Sequence, residues 1–499
     1  MNDWAELDRV LHAIAASGRS EVREDGEWLA EFSTLQCELH HESRSPLVRL
    51  WSGERNLTRR ILNIREQSEE RVVLEVQRFG RTRPGRLEFI RTETRRPAGR
   101  IGREQFRARL QRLLGEWFPD ATVESLTTAV DMEHSFSGIH VRGRMHQGAR
   151  AWALIAISQE ESPAAIESTL TFGVLWLHWT RSGARARPIE GLRVFVPSGT
   201  SRFLRERACA LRSDARVEIF EFCEADGTLQ KMDPADTGNL QSYLILRRDA
   251  EAALREAYSA AARIPLLEAE MEAAGGRIRT RPIPGSQQVL FSFRGLDFAR
   301  WSQDGFIFGL ESETRLTDAT VPALEKLIKR LELQRNSIAN ETKHPLYRLA
   351  PERWLETLLL EDPLKLDVQL DRNHLYSQVP ALTASDRGVL DLLGVTHRGR
   401  LVVIELKASE DIHMPLQAAD YWLRVRRHQR EGDLQRYGYF NGRELDSRPP
   451  LMWLVAPGLR FHSATDILLK YLSPEIQVTR IGLAENWRRG IKVVFRQRA

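Results

Sequence analysis

Alternating apolar and polar residues near the amino terminus predict a β-rich region. Arg71–Arg78 reads RVVLEVQR and Gly85–Arg91 reads GRLEFIR, so apolar side chains recur at every second position over much of each segment. This period of two is typical of a strand with one buried face. We therefore expect residues 20–100 to be mostly strands, preceded by an amphipathic helix within the first 18 residues.

Apolar residues at helical spacing predict helices that alternate with strands in the rest of the chain. We expect helices over residues 103–118, 166–178, 249–274 and 319–335, and strands over 137–144, 150–158, 192–197, 288–294 and 305–310. The last 155 residues predict the order helix, strand, hairpin, helix, strand, helix and two strands. This alternation is typical of an α/β fold in which helices flank a sheet.

Two segments that lie 250 residues apart share one pattern. GIHVRGRMHQGARAWALIAIS, which begins at Gly138, aligns without a gap with GVLDLLGVTHRGRLVVIELKA, which begins at Gly388. At a shift of 260, the predicted strand 192–197 falls on residues 452–457. Few residues are identical, so chance similarity between two α/β segments is the alternative. We predict an internal duplication of one αβββαβ unit.

These patterns divide the chain into four predicted regions. An amino-terminal helix and an arginine-rich β region occupy residues 1–102, and a first α/β domain occupies residues 103–245. Residues 246–340 form a connecting region of helices and strands, and residues 341–499 form a second α/β domain. The length of 499 residues fits about three compact domains.

The composition narrows the class of protein. Hydrophobic residues make up 42% and charged residues 28%, as in ordinary globular proteins. No apolar run approaches the roughly 18 residues of a membrane span, and the first residues lack the basic segment of a signal peptide. The three cysteines have no CxxC spacing, which indicates a reducing, cytoplasmic environment without disulfides or a zinc site.

Positive charge in this chain is carried almost entirely by arginine. Seventeen arginines and no lysine lie between residues 55 and 112, where they outnumber the acids. Such a stretch favours a phosphate partner, although a solvated arginine-rich face is an equally open interpretation. Only eight of the 73 basic residues are lysine. A lysine in this chain therefore suggests a specific role, because the pKa of lysine can shift whereas arginine always keeps its charge.

Two acidic residues interrupt a pair of apolar strands near the carboxy terminus. Asp391 lies within the predicted strand 389–395, and Glu405 lies within the predicted strand 400–406. The short turn between them predicts a hairpin. Side chains alternate between the faces of a strand, so Glu405 and Lys407 share one face. Asp391 can lie opposite or diagonal to Glu405 on that face.

Neighbouring carboxylates on a buried strand need a cation between them. An unpaired buried charge is costly, and two like charges repel each other. Mg²⁺ prefers oxygen ligands and tolerates one or two carboxylates together with water and phosphate. Lys407 could then orient or deprotonate a metal-bound water for in-line attack on a phosphodiester. The alternative is a buried ion-pair cluster that binds no ligand.

Asp391, thirteen intervening residues and then Glu405-Leu406-Lys407 resemble the motif of the PD-(D/E)XK nuclease superfamily. Gln417 and Tyr421 are spaced i and i+4 on the next predicted helix, and they look like the QxxxY motif of the RecB-like branch. The resemblance covers residues 345–499. The sequence departs from the motif in having a leucine where the family has the proline before its aspartate.

The resemblance implies a restriction-endonuclease-like fold, with a mixed sheet flanked by helices, and a nuclease that depends on Mg²⁺ or Mn²⁺ and acts on DNA. Asp391, Glu405 and the Leu406 carbonyl would bind the metal. Lys407 would position the water. The other implied catalytic residues are Gln417 and Tyr421, which would orient the site or the strand, and Glu356, an extra acid on the preceding helix. Glu352 and Glu361 are the alternatives for that last role.

The earlier copy of the repeat lacks this chemistry. At a shift of 250, Asp391, Glu405, Lys407, Gln417 and Tyr421 fall on Val141, Ile155, Ile157, Glu167 and Thr171. If the duplication is real, the first copy is a degenerate nuclease fold. We expect it to pack against the active copy or to grip nucleic acid.

A second function is compatible with the same residues. A nucleic-acid-binding or assembly subunit could keep the fold with little activity. The chain has no P-loop motif, so any unwinding would require a separate helicase or another partner protein. The choices between exonuclease and endonuclease, between DNA and RNA, and between oligomeric states stay open. His413 could contact a substrate phosphate, but we expect a solvated loop residue. Trp422 could stack on a base, but we expect it to pack in the core.

Overall fold

The computed structural model forms two compact units. One comprises residues 1–96 and 246–353, and the other comprises residues 97–245 and 354–499. The described residues are 4–16, 20–25, 27–32, 36–40, 46–51, 56–78, 84–91, 100–183, 188–224, 226–235, 247–262, 264–272, 277–282, 288–310, 313–338, 341–342, 344–380 and 389–499. No helix among them is both long and apolar enough to cross a bilayer.

The elements follow in chain order. The first segment contains α1 (Trp4–Ala16), β1 (Ser20–Glu24), β2 (Glu27–Glu31), β3 (Gln36–His40), β4 (Leu47–Trp51), β5 (Asn56–Gln67), β6 (Arg71–Arg78) and β7 (Gly85–Arg91). The second contains α2 (Arg100–Trp117), β8 (Ala121–Thr127), β9 (Val141–Gln147), β10 (Arg150–Ala156), α3 (Pro163–Gly183), β11 (Ile189–Pro197), α4 (Arg202–Ala208), β12 (Val217–Phe222) and β13 (Leu229–Met232).

The remaining elements complete the chain. The third segment contains α5 (Arg247–Ala261), α6 (Pro265–Glu272), β14 (Ile278–Pro282), β15 (Val289–Phe293), β16 (Leu296–Ser302), β17 (Gly305–Phe308), β18 (Thr314–Arg315), α7 (Val321–Gln334) and α8 (Pro345–Arg348). The fourth contains α9 (Pro351–Glu361), β19 (Leu370–Pro380), β20 (Val389–Thr396), β21 (Leu401–Leu406), α10 (Met414–Glu431), α11 (Asp433–Arg436), β22 (Leu451–Pro457), α12 (Thr465–Lys470), β23 (Gln477–Leu483) and β24 (Val493–Arg498).

The β-rich amino-terminal region is a seven-stranded antiparallel sheet in the order β2-β1-β7-β6-β5-β4-β3. Helix α1 places Leu7, Leu11 and Ile14 on one face, at the three- and four-residue spacing of an amphipathic helix. These side chains share a core with Val72 and Phe89 of the sheet. The observed strands account for the alternating pattern in the sequence.

The same unit contains a five-stranded antiparallel sheet in the order β14 to β18, with helices packed on it. The single helix predicted over residues 249–274 is instead two helices, α5 and α6. Pro265 causes the break, because proline lacks the N–H of an interior helical residue and disfavours helical backbone in the residue before it. The sequence also missed β16, which pairs with both β15 and β17.

The other unit consists of two halves with one connectivity. We call residues 97–245 the N-half. We call residues 354–499 the C-half, and we count all of α9 with it. Each half has a helix, three antiparallel strands, a helix, a parallel strand, a short helix, a parallel strand and an antiparallel edge strand. The sheets have the corresponding orders β8-β9-β10-β11-β12-β13 and β19-β20-β21-β22-β23-β24. Each half is therefore a mixed sheet flanked by helices.

The halves share one hydrophobic core and pack reciprocally. Helix α10 packs on α4, and the equivalent pair, α3 and α12, also pack together. Between these pairs, Leu211 and Leu472 form an antiparallel bridge, in which the Arg212 N–H donates to the Tyr471 carbonyl at 2.9 Å. Because each leucine lies just beyond the equivalent short helix, the packing approximates a two-fold axis near this bridge.

Strand register corrects the ungapped alignment of the two segments. Ile155 pairs with Arg142 across β9 and β10. In the C-half, Leu392 of β20 pairs with Ile404 of β21. If this pairing continues by one residue, Asp391 lies opposite Glu405. The turn between β20 and β21 is one residue longer than the turn between β9 and β10. Asp391 therefore corresponds to Arg142 and not to Val141. The correspondence of Glu405 with Ile155 is unchanged, because Ile155 pairs with Val194 as Glu405 pairs with Leu454.

A buried ionic cluster joins the halves. Arg424 on α10 contacts Asp420 one turn earlier at 3.1 Å and Glu206 on α4 at 3.3 Å. All three residues are less than 9% exposed. Burial, and then the charge of Asp420, raises the pKa of Glu206 despite the nearby Arg424. Arg424 is therefore the buried cation that both acids contact.

We predict that Arg424→Met lowers the free energy of unfolding by about 3–5 kcal/mol, because it removes the buried cation that Asp420 and Glu206 share. The loss should be larger at pH 8 than at pH 5. A carboxylate whose pKa is higher in the folded state destabilises the fold as pH rises through that pKa. Urea unfolding monitored by tryptophan fluorescence at the two pH values measures both effects.

Arg427→Met is the matched control, since Arg427 lies on the same helix and its side chain is 49% exposed. We expect a change within about 0.5 kcal/mol for this surface substitution. An equal effect of the two variants would contradict the role of Arg424.

Candidate active site

The hairpin of β20 and β21 brings two carboxylates together at one end of the C-half sheet. The pairing of the two strands extends to Leu392 and Ile404. Beyond that pair, Oδ2 of Asp391 accepts a hydrogen bond from the N–H of Leu406 at 2.9 Å. The Asp391 side chain thus takes the place of a backbone partner at the end of the ladder.

Glu405 is the most deeply buried of the acids Asp391, Glu405 and Asp411. Every residue of β21 is buried, and Glu405 is 1% exposed. Its Oε1 lies 3.3 Å from Nζ of Lys407, whereas Oε2 is buried and has no hydrogen-bond partner among the described residues. Burial, and then the charge of Asp391, raises the pKa of Glu405 well above its usual value. A carboxylate in this setting favours an additional positive charge.

Lys407 is held by three oxygen-bearing side chains. Its Nζ lies 3.3 Å from Glu405 and 3.3 Å from Asp411, and it donates a hydrogen bond to Oε1 of Gln417 at 3.1 Å. Burial alone lowers the pKa of Lys407, but the charges of Glu405, Asp411 and Asp391 outweigh burial and raise it. Lys407 is therefore a fixed ammonium group rather than a base in this geometry.

Helix α10 contributes the next members of the same hydrogen-bonded chain. Nε2 of Gln417 donates to the hydroxyl of Tyr421 at 3.3 Å, one turn further along the helix. Burial, and then the charge of Glu405, raises the pKa of Tyr421, so its hydroxyl keeps its proton. The contacts run without interruption from Glu405 through Lys407 and Gln417 to Tyr421.

The backbone carbonyl of Leu406 opens toward Asp391. In a strand, the N–H and C=O of one residue point toward the same neighbouring strand. Since the N–H of Leu406 donates to Asp391, its carbonyl faces that side as well. Two carboxylates and one carbonyl are oxygen ligands of the kind that Mg²⁺ prefers. Asp391, Glu405 and Leu406 therefore form a donor set suited to a hard cation.

Glu356 lies on α9 and is 5% exposed. It is the buried acid of that helix, whereas Glu352 and Glu361 are partly exposed. The contacts described above do not pass through Glu356. Its assignment as an extra acidic residue of the site stays a prediction.

The equivalent position in the N-half contains a buried cation. Arg142, which corresponds to Asp391, is 2% exposed and donates to the carbonyl of Ala129. Its guanidinium lies 4.3 Å from the centroid of the Phe136 ring and 5.6 Å from that of Trp176. With Ile155 in place of Glu405, this position combines a positive charge with an apolar side chain. Such a site would repel a metal ion.

The contacts of two nearby residues, Asp411 and His413, were not anticipated from the sequence. Asp411 follows Lys407 by four residues in a loop, where no regular spacing predicts its ion pair with the lysine. His413 is not the solvated loop residue that we expected, because it is partly buried and its Nδ1 lies 3.1 Å from the Thr171 hydroxyl of the N-half. Trp422 packs in the core as expected, at 2% exposure.

A second group of potential metal ligands lies at the end of α10. Suitable ligand atoms of His428, Glu431 and Asp433 lie within 4.8 Å of one another. His428 already contacts Asp433 at 2.9 Å, and Glu431 pairs with Arg427 at 2.9 Å. These contacts explain the group as an ionic network at a helix end.

The arginine-rich stretch is partly neutralised by internal ion pairs. Arg59 pairs with Glu24 at 2.7 Å, and Arg71 pairs with Glu88 at 2.6 Å, both between strands of the seven-stranded sheet. Arg55 and residues 79–83 and 92–99 of the stretch lie outside the described residues. In the described part, several of these arginines therefore stabilise the sheet, and this weakens the case for one continuous phosphate-binding face.

Comparisons with protein-family models, with curated proteins and with solved structures find no match to this chain. The interpretation of the site consequently depends on its own geometry.

We predict that Asp391→Asn raises the melting temperature in EDTA by about 2–4 °C, the shift that ~1 kcal/mol produces in a domain of this size. Asparagine keeps an acceptor for the N–H of Leu406 but removes the charge that repels Glu405. Mg²⁺ or Mn²⁺ should stabilise the natural chain and not the variant. Thermal unfolding with and without metal tests both expectations.

Asp466→Asn provides the control, since Asp466 is 54% exposed and belongs to the same half. It should leave the metal response unchanged. A marked fall in the melting temperature of Asp391→Asn, in EDTA, would instead favour a structural ion-pair cluster that binds no metal.

Proposed function

We propose that this chain is a nuclease that depends on Mg²⁺ or Mn²⁺ and hydrolyses phosphodiester bonds, with DNA as the preferred substrate. The observation that carries the proposal is the buried Oε2 of Glu405. This oxygen has no hydrogen-bond partner among the described residues, whereas Oε1 of the same carboxylate lies 3.3 Å from Nζ of Lys407. A bound cation would satisfy that oxygen and relieve the repulsion between the carboxylates of Glu405 and Asp391.

The charge balance of the site supports the same interpretation. The charges of Glu405, Asp411 and Asp391 all act on the ammonium group of Lys407. Glu405 and Asp391 also disfavour each other's charge, and two neighbouring acids in a largely buried region are costly unless a cation lies between them. Asp391, Glu405 and the Leu406 carbonyl would hold the ion. When bound, it would supply positive charge to the phosphate and lower the pKa of a water.

Lys407 would act as a positioned donor in this reaction. Its raised pKa keeps the ammonium protonated, so it can donate to a phosphate oxygen or hold the attacking water in place. Such a donor stabilises the negative charge that develops on the phosphate as water attacks and the bond to the leaving oxygen breaks. Gln417 fixes the direction of the lysine through its 3.1 Å hydrogen bond.

Tyr421 would complete the positioning of these groups from the same helix. Its protonated hydroxyl accepts a hydrogen bond from Gln417 and remains able to donate one to the substrate strand. Gln417 and Tyr421 therefore act on Lys407 and on the strand, rather than on the reacting bond itself.

We also infer that both halves derive from one restriction-endonuclease-like unit by internal duplication. Their shared connectivity, their identical strand orders and their reciprocal packing support this inference. The N-half would then be the degenerate copy, since Arg142 and Ile155 occupy the positions of the two acids. The alternative function, a nucleic-acid-binding subunit with little activity, predicts binding without cleavage.

We predict that the purified chain cleaves labelled DNA with Mg²⁺ or Mn²⁺ and fails to do so in EDTA. Lys407→Met should reduce the cleavage rate by about 100-fold or more, the usual effect of removing one positioned donor. Single-stranded, duplex and circular DNA, with RNA of the same sequence, would define the substrate and separate exonuclease from endonuclease activity.

Lys365→Met is the matched control, because Lys365 belongs to the same half and is 56% exposed. It should cleave at the rate of the natural chain. Binding without any metal-dependent cleavage would support the non-catalytic subunit, and equal activity of Lys407→Met and Lys365→Met would refute the proposed site.

A further inference from the structure

Helix α4 of the N-half lies against the helix that carries Gln417 and Tyr421. The contact is made by Glu206, which pairs with Arg424 of α10. In the same region, Thr171 of α3 contacts His413, the residue just before α10. The N-half therefore forms part of the surroundings of the C-half site, even though its own equivalent position lacks both acids.

Both ends of α4 are fixed. Before the helix, the carboxylate of Glu221 accepts hydrogen bonds from the N–H groups of Gly199 at 2.8 Å and Ser201 at 2.9 Å. After the helix, Leu211 forms the bridge to Leu472 of the C-half. The backbone of α4 is consequently held in place before any ligand binds, and this reduces the entropic cost of binding.

Arg207 differs from its neighbours on this helix. Arg202 pairs with Glu206 at 3.4 Å. Arg207 is partly buried, and its side chain makes no hydrogen bond or ion pair with any other described residue; its Nε is buried as well. A partly buried guanidinium that has no counter-ion in the described part of the chain is unfavourable unless an anion binds there. Its five donors suit a phosphate group.

The charged groups around His413 indicate where Arg207 lies. Burial lowers the pKa of His413, and the charges of Arg207, Lys407 and His462 lower it further, while Asp411 opposes them. Arg207 and Lys407 thus act on the same side chain from the two halves. His462 follows β22 at the same end of the sheet as Lys407, because β21 and β22 are parallel.

We propose that Arg207 of the N-half binds a backbone phosphate of the nucleic-acid strand that enters the C-half site. This inference rests on the proposed function and adds a role for the N-half, which would hold the substrate rather than cleave it. A single arginine directed at the backbone fixes the position of the strand and reads no sequence. The contact should therefore be similar for strands of any sequence.

The test compares Arg207→Gln with Arg150→Gln in the full-length chain. Arg150 belongs to the same half and is 67% exposed, so its substitution removes the same charge elsewhere. Fluorescence anisotropy with a labelled single-stranded oligonucleotide, in EDTA and again in Ca²⁺, gives Kd over a range of salt concentrations. Thermal unfolding of each variant shows whether it folds.

We expect Arg207→Gln to raise Kd by about tenfold, equivalent to ~1.4 kcal/mol. It should also reduce the slope of log K against log salt by about 0.7, the value for one phosphate contact on a single strand. Arg207→Lys should recover part of both effects. In cleavage assays, KM should rise while kcat changes little, since Arg207 does not touch the reacting bond.

Binding by Arg207→Gln that equals that of Arg150→Gln would overturn the inference and leave the nuclease proposal intact. Weakened binding by Arg207→Gln in a chain that never cleaves DNA would support the arginine contact and refute the nuclease. A natural chain that neither binds nor cleaves nucleic acid would refute both.

Discussion

The buried carboxylate of Glu405 is the constraint on which the C-half site depends. Burial and Asp391 both disfavour its charge, and Lys407 is the ammonium that opposes them. Asp411 and Gln417 hold this lysine, and Tyr421 in turn contacts the glutamine. The site is therefore a connected network, in which a change of charge at Glu405 alters each group that depends on it.

The two halves illustrate how one architecture tolerates opposite electrostatics at equivalent positions. Their sheets have the same strand order and share one core, and Leu211 meets Leu472 where the equivalent short helices end. In the N-half, Arg142 rests against aromatic rings at the position that Asp391 occupies in the C-half. Packing and connectivity can thus persist where the chemistry does not, because apolar burial constrains size and shape rather than charge.

The sequence predicted those parts of the fold and site that depend on local patterns. Alternating residues indicated the strands of the amino-terminal sheet, and the hairpin turn with its two interrupted apolar strands brought Asp391 and Glu405 together. The spacing of Gln417 and Tyr421 follows directly from helical geometry. Two predictions were wrong in detail. Pro265 divides one predicted helix into α5 and α6. One additional residue in the turn between β20 and β21 shifts the alignment of β9 with β20 by one position.

Contacts between distant segments were decided only by the tertiary structure. The acidic side chain of Glu405 is evident from the sequence, but its burial results from packing against β22 and α10, and within the part of the chain that the structure describes its Oε2 has no hydrogen-bond partner. The meeting of Thr171 with His413, and of Glu206 with Arg424, joins residues more than 200 positions apart. No periodicity in the sequence predicts such pairs, because they depend on how the two halves pack against each other. The sequence by itself determined which residues could perform the chemistry, and the fold decided which of them meet.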